Sequence, residues 1–356
     1  MMLVFLEGSF VNRLSEIRKF KTEDIARRVG IICAKNVSVL NYPEKPIKVF
    51  NPSFLVIDDR FLLYPRMVFG YYKYVSAIGR IELELNNVIS GKLNDNTLKC
   101  EIVIYPSTEM DFWGAEDPRT QIINDIAYMI YTGRTRWYFE RDVPLGKQRD
   151  VPVIARSRDG MKWEKIGFIS FEQEVLEHFI SIKNSVFVPG SHKLFVLHRI
   201  HTRTCEFYTS YGMIDVDLGN TKEMQPITSV SNVSIIKKAD FEQKIGWGPP
   251  PVKIANDKYI VFLHGVDKEL LVYRVFAVLI KASNSIEIEA VSPYYIMEPK
   301  EIYEIYGDRP YVIFPCGASK IDDEIIITYG AADSFIGIAK FDTSELLHMV
   351  DKGYLQ

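Results

Sequence analysis

Cysteine is scarce and scattered in this chain. Cys33, Cys100, Cys205 and Cys316 form no Cys-x-x-Cys pair and no Cys/His cluster, so the expectation is buried thiols, with neither a disulfide framework nor a metal site. Long apolar runs are missing too, and nothing approaches the length of a membrane span. The first residues, Met1-Met-Leu-Val-Phe-Leu-Glu7, reach an acid too soon and lack the basic start of a signal peptide. A reduced, cytoplasmic protein is expected. Net charge is also small: 43 basic against 46 acidic side chains leave -3, which argues against nucleic acid or an anionic membrane as partner. Any anion site must then be local. With 47% hydrophobic and 25% charged residues, the composition lacks the bias of disorder, and 356 residues can bury a sizeable core.

What is present is a repeat. Prolines at 52, 118, 189, 251 and 315, spaced by 66, 71, 62 and 64 residues, each precede a short apolar strand that ends at Tyr64, Tyr131, His198, His264 or Tyr329. Each copy reads as strand, polar turn, strand. The turns are Asp58-Asp59, Asn124-Asp125, Gly190-Ser191, Asn256-Asp257 and Asp322-Asp323. Such a unit is too short for a domain and recurs across nearly the whole chain, which marks a repeat architecture. The expected fold is all-β, a five-bladed β-propeller over residues 46–345, with the first strand of each repeat innermost and its start at one mouth of a channel. Residues 12–36 carry apolar positions Ile17, Phe20, Ile25, Ala26 and Val29 at roughly helical spacing, so residues 1–45 are expected to form an extension with a helix packed on the propeller. Residues 346–356 are expected to be a tail. The segment Ser157-Arg-Asp-Gly-Met-Lys-Trp163 reads as a hairpin turn with a packed Trp.

The strand starts read Asn51-Pro52, Glu116-Asp117-Pro118-Arg119, Lys183-Asn184, Gly246-Trp-Gly-Pro-Pro-Pro251 and Asp308-Arg309-Pro310. Near the strand ends stand Arg66, Arg134 or Arg136, His198-Arg199 and His264-Gly265. Carboxylates, arginines and a lysine converging on one mouth suit a polar, anionic ligand.

The ordered set Gly114-Ala-Glu-Asp-Pro-Arg119, Lys183-Asn184, Leu197-His-Arg199, Lys244-Ile-Gly-Trp-Gly-Pro-Pro250, His264-Gly265, Tyr303-Glu304 and Tyr329-Gly-Ala-Ala-Asp333 resembles glycoside hydrolase family 130, which contains mannoside phosphorylases and some β-mannosidases. The resemblance covers about residues 50–340. It implies a propeller with its sugar site at the central mouth and Asp117 as general acid of an inverting reaction, passing its proton through a hydroxyl of the bound mannose. It further implies sugar contacts from Asn51, Arg66, Glu116, Arg119, Asn184, Glu304, Asp308 and Asp333. Phosphate contacts would come from Arg136, Lys183, Arg199 and His264, with Arg134 competing with Arg136 for its place. A mannoside or oligosaccharide and inorganic phosphate are then the substrates, no cofactor is expected, and no second carboxylate is needed as base because phosphate is itself a competent nucleophile. A homo-oligomer stays open. Two alternatives share the scaffold: a β-mannosidase that uses water with Glu304 or Glu116 as base, and a sugar-binding propeller without catalysis.

Overall fold

The computed structural model describes residues 6–7, 11–93, 97–140 and 142–355, and the chain is all-β apart from a few short helices. Its strands form five antiparallel units in sequence order. The first is Lys48–Ile57, Arg60–Val68, Ser76–Glu84 and Leu98–Ile104, and the second is Ala115–Ile123, Ile126–Arg134, Asp150–Ser157 and Glu164–Ser170. Phe179–Pro189, Leu194–Thr202, Phe207–Ile214 and Val230–Ile236 make the third; a single parallel pair, Asp150 with Ser181, joins it to the second. The fourth comprises Glu242–Trp247, Lys258–Asp267, Tyr273–Ala282 and Ile286–Val291. In the fifth, Ile313–Ile321, Glu324–Ala331 and Phe335–Asp342 are completed by Arg27–Cys33 from the other end of the chain. The five polar turns fall between the strands they were expected to separate, because Asp, Asn, Gly and Ser tolerate the tight or left-handed backbone that a hairpin needs.

Apolar side chains alternate along these strands and meet between units. Leu55, Tyr64 and Ile78 pack on Met129, Tyr131 and Val153; Ile154 and Ile166 pack on Phe187 and Val196. Phe195 and Leu197 meet Leu263 and Phe276, while Phe262 and Val275 meet Ile327 and Phe341. A further cluster joins Ile326, Ile336 and Ile338 of the fifth unit to Val49, Phe54 and Leu63 of the first. Every unit thus buries both faces against its neighbours, and the last returns to the first. Buried polar side chains link the first strands. The Ser53 and Thr120 hydroxyls lie 2.8 Å apart, Gln121 exchanges two bonds with the Phe187 backbone (3.2 and 3.1 Å), and Thr328 Oγ1 donates to Pro52 O at 2.7 Å. These bonds satisfy backbone groups that would otherwise be buried unpaired. The Ser157–Trp163 segment does form a tight turn, with Trp163 edge-on to Tyr64 and Tyr64 Oη donating to Gly160 O at 2.8 Å.

The two ends of the chain depart from expectation. Within the stretch 12–36 the α-helix Val11–Ile17 ends early, a single 3-10 turn forms at Ala34–Asn36, and Arg27–Cys33 is a strand. Val29, Ile31 and Ile32 are β-branched and Gly30 weakens a helix, so this stretch is extended where a partner edge is available. Phe20, placed on the expected buried stripe, is 51% exposed. Between helix and strand, Arg18 is fully buried and pairs with Glu242 at 2.6 Å, its guanidinium 3.5 Å from the Phe276 ring. At the other end, Thr343–Asp351 is a helix, not a tail: Asp342 caps it by accepting from Glu345 N at 2.9 Å, and Leu346, Met349 and Val350 fill the core. No disulfide forms among the described residues; Cys100 and Cys316 are buried as expected, but Cys205 is exposed.

Candidate active site

The site is built by register breaks in the first strands. In the first unit Phe50 pairs with Arg66 and Ser53 with Tyr64, so Asn51-Pro52 oppose one residue. The second repeats this with Glu116 on Thr132 and Arg119 on Ile130, leaving Asp117-Pro118 as the extra pair, and the third with Lys183 on Arg199 and Val186 on Leu197, leaving Asn184-Ser185. At each bulge the first extra residue has a left-handed backbone, with φ of 46° at Asn51, 50° at Asp117 and 58° at Asn184. Asn and Asp are the side chains that best tolerate this region, and a bulge turns its residue out of the ladder. Three polar side chains are thereby aimed at one cavity. The third bulge sits at Ser185; Pro189, the proline of the sequence repeat, lies at the hairpin end opposite Leu194.

That cavity has a volume of about 370 Å³, and seven arginine and lysine side chains line it against three carboxylates. A chain of nearly neutral charge therefore carries a concentrated positive site. Asp117 Oδ1 accepts from Asn51 Nδ2 at 2.8 Å and from Arg66 Nη1 at 3.1 Å. Its Oδ2 has no protein partner among the described residues. Burial would raise the Asp117 carboxyl, but Arg66, Lys183, the Asn51 bond and Arg119 together hold it below the usual carboxylate range. It is ionised at neutral pH.

Behind Asp117 lies a paired layer. Arg66 Nη2 meets Glu116 at 2.8 Å, and Asp150, fully buried, takes Arg134 at 2.9 Å, Arg149 at 3.2 Å and Lys183 at 3.3 Å. Burial pushes Asp150 up, yet Lys183, Arg134 and Arg149 outweigh it and hold the carboxyl at about 2. In front is an unpaired layer. Arg199, Lys244 and His264 have no carboxylate within 4 Å among the described residues, and Arg199 Nη1 sits 3.5 Å from His264 Nε2. Burial drives His264 well below its ordinary value, with Arg199, Arg119 and Lys244 adding to the effect, so its imidazole is neutral. Burial also brings the Lys244 ammonium down to about 7, helped by Arg199 and Arg309. Desolvated cations facing one another without an anion make a seat that an anionic ligand would neutralise.

Several expected residues lie elsewhere. Arg119 is buried as a brace, donating Nε to Gly248 O at 2.7 Å and Nη1 to Asp117 O at 3.0 Å. Glu304 is buried outside the cavity; Tyr329 Oη donates to it at 2.6 Å, Arg28 pairs with it at 3.2 Å, and the Lys300 and Glu301 amides donate to it at 2.9 and 3.1 Å. Asp308 holds Lys48 at 2.7 Å and Tyr74 Oη at 2.9 Å, just behind the cavity wall. Arg136 is half-exposed and pairs with Glu140 at 3.4 Å, while Arg134, the last residue of its strand, lines the cavity in its place. Asn51, Arg66, Glu116, Asn184, Lys183, Arg199, His264 and Asp333 do line it with Asp117. Asp333 is raised to about 6 by burial, only partly offset by Arg309 and Arg66. Sequence reasoning missed Arg149, Lys244, His201, Tyr273 and Arg309 among the lining residues. Two of these carried a signal: Lys244 heads the Lys244-Ile-Gly tract, and Arg309 stands in the Asp308-Arg309-Pro310 strand start.

A family model described as β-1,4-mannooligosaccharide phosphorylase matches residues 16–352. The chain is 27% identical over 305 residues to the 1,2-β-oligomannan phosphorylase of Thermoanaerobacter sp. strain X514, which covers 84% of this chain and 91% of that protein. It is 28% identical over 299 residues to the β-1,2-mannobiose phosphorylase of the same organism, covering 83% and 87% respectively. In fold it is similar to the β-1,2-mannobiose phosphorylase of Listeria innocua, solved with β-1,2-mannobiose, with a TM-score of 0.69 at 16% identity over 90% of this chain and 97% of the other.

Proposed function

The chain belongs to glycoside hydrolase family 130, and we propose that it is an inverting phosphorylase that cleaves β-mannosides with inorganic phosphate to give α-mannose 1-phosphate. Its five units are the blades of a β-propeller: each packs on the next, and the fifth packs on the first. The mannose to be transferred lies over Asn51, Arg66, Asn184 and Asp333, and phosphate lies against Arg199, Lys244, His264 and Lys183. A phosphate oxygen attacks the anomeric carbon on the face opposite the glycosidic oxygen. The bond to that oxygen breaks, and the proton from Asp117, relayed through a mannose hydroxyl, ends on the leaving sugar.

Asp117 must acquire its proton before cleavage, and phosphate supplies the means. A dianion beside Lys183 and Arg199 offsets the positive field that holds the Asp117 carboxyl down, so binding of the nucleophile favours the protonated acid. Asp117 and His264 are buried and Lys183 and Arg199 are partly so, all four desolvated, and exclusion of bulk water strengthens each of these interactions.

The observation that carries this reading is the layer of unpaired cations beside Asp117. Hydrolysis would instead need a free carboxylate as base, and the carboxylates at hand are engaged: Glu304 lies outside the cavity, Glu116 is held by Arg66, and Asp333 pairs with Arg309 at 3.3 Å. Incubation with β-1,2- and β-1,4-mannobiose, with and without phosphate, tests the proposal. Mannose 1-phosphate should form only when phosphate is present; free mannose in phosphate-free buffer would overturn it.

A further inference from the structure

A second concavity of about 650 Å³ lies beside the cationic cavity, on the flank of the first unit. The segment 69–77, between the strands Arg60–Val68 and Ser76–Glu84, forms one wall, and Ile102, Tyr105 and Pro106 form the other. Its character is opposite to that of the first: the lining is dominated by Tyr42, Phe69, Tyr72, Tyr74 and Tyr105, with Lys73 the one ionisable cation. Tyr72 is 79% exposed and Tyr105 61% exposed, although large aromatic rings are costly to leave in water.

The two concavities share a wall. Tyr74 lines both, in a left-handed backbone of φ 57° that a bulky residue rarely adopts. Its hydroxyl is fixed on Asp308 at 2.9 Å and its ring lies 5.2 Å from Tyr138. The opposite wall is fixed as well, because Asn41 bonds the Ile102 backbone through both ends of its amide, at 3.0 and 2.9 Å. Tyr42 stands edge-on to Phe69 at 4.8 Å, and the Lys73 ammonium lies 5.1 Å from the Tyr72 ring and 4.8 Å from that of Trp137.

We propose that this groove is a second sugar-binding site, which receives the units of an oligosaccharide chain that extend out of the cationic cavity. The proposal rests on the phosphorylase reading above. Ring faces carry negative charge density and attract the C–H faces of a neutral pyranose, whereas an anion would find only Lys73 there and a peptide would find few free polar partners. The volume falls in the range of small-ligand sites, and a concave, rigid pocket suits a ligand better than the flatter contact between two copies of a chain. Tyr74 lines both concavities and so sets the groove directly beside the cavity that holds Asp117, which favours as occupant the outer part of the molecule bound there.

The test compares the disaccharide with β-mannosides of four to six units in Tyr72→Ala, Tyr105→Ala and the double variant, all at exposed positions that the fold does not need. Wild type should favour the longer chains in kcat/KM. Each variant should lose that advantage by about 3- to 10-fold per ring, while turnover of the disaccharide stays unchanged. Calorimetric binding of a mannohexaose to the double variant in an Asp117→Asn background should weaken to the same extent, a readout independent of turnover. Equal losses on short and long substrates, or none on either, would overturn the proposal, as would a wild type indifferent to chain length. If sedimentation showed the double variant breaking an oligomer with chain-length preference intact, the groove would be an interface between copies and the proposal would fall. Absence of any phosphorolysis by wild type, with calorimetric binding in the groove retained, would strike the phosphorylase reading instead.

Discussion

Replacing Lys244 by Met removes an ammonium while keeping an apolar stem of similar length. Lys244 has no carboxylate within 4 Å among the described residues; its surroundings are the Phe207 and Tyr273 rings, at 6.0 and 5.4 Å, and the charges of Arg199 and Arg309. Its only strong partner would be the bound anion. A hydrogen bond to a charged group contributes about 1.5–3 kcal/mol, so KM for phosphate should rise roughly ten- to a hundredfold while kcat at saturating phosphate changes little. The pH dependence adds a second constraint. With Lys244 titrating at about 7, its charge is lost as pH climbs through 7, so KM for phosphate should climb more steeply with pH in wild type than in Lys244→Met, the ionisation of phosphate itself being common to both. Stability should move the other way. A lysine whose folded value is depressed below its ordinary 10.5 weakens the fold wherever it is charged, fully below about pH 7 and not at all above its ordinary value. The variant should therefore melt higher than wild type at pH 6 and equally at pH 11. Initial rates of mannose 1-phosphate release against phosphate concentration, from pH 6 to 9, provide the assay. An unchanged KM, or the same pH slope in both proteins, would show that phosphate does not sit against Lys244.

Asp117→Asn should lower kcat by about 10²- to 10⁴-fold with an unaltered circular dichroism spectrum, because Asn accepts the left-handed backbone and Arg66 keeps Glu116. Arg136→Ala should leave KM for phosphate within about twofold of wild type, as expected of a surface arginine, and a larger rise would reinstate it at the site. Arg18→Met, which strands Glu242 in the core, should cost about 3–5 kcal/mol in urea denaturation. Asp333 is raised to about 6, so its neutral form stabilises the fold at low pH and that contribution is lost as pH rises through 6. Asp333→Asn should then raise the melting temperature at pH 8 and leave it unchanged near pH 3.5.

The hairpins were legible because each pairs a local turn signal with two apolar runs, and both lie within about fifteen residues of sequence. The bulges were half legible. Proline tracked them at Pro52 and Pro118, but the requirement is for a left-handed residue, which Asn184 meets without a proline beside it. The Arg134–Arg136 ambiguity has a related cause: a period of two fixes the face of a strand and says nothing about where the strand stops. Glu304 was misassigned because what neutralises it, Arg28, comes from 276 residues earlier in the chain. Lys244 stood in a recognised tract, but only folding shows that no carboxylate reaches it. The N-terminal strand was misread for the same reason as Glu304, since its partner edge is more than 300 residues away.

That pairing of Arg27–Cys33 with Phe335–Asp342 has a consequence for how the molecule is made. On a ribosome adding about 5–20 residues per second, the early strand emerges roughly 15–60 seconds before its partner exists. Throughout that interval it is an edge with nothing to pair with. Arg27 and Arg28 at its head make it a poor template for stray strands. The last sheet, and with it the contact between the fifth unit and the first, is completed only after Phe335–Asp342 has been made. A truncation that removes Phe335–Asp342 would leave four whole units and two strands of the fifth, with Glu324–Ala331 and Arg27–Cys33 as bare edges, a species bound for aggregation or degradation and not a smaller enzyme.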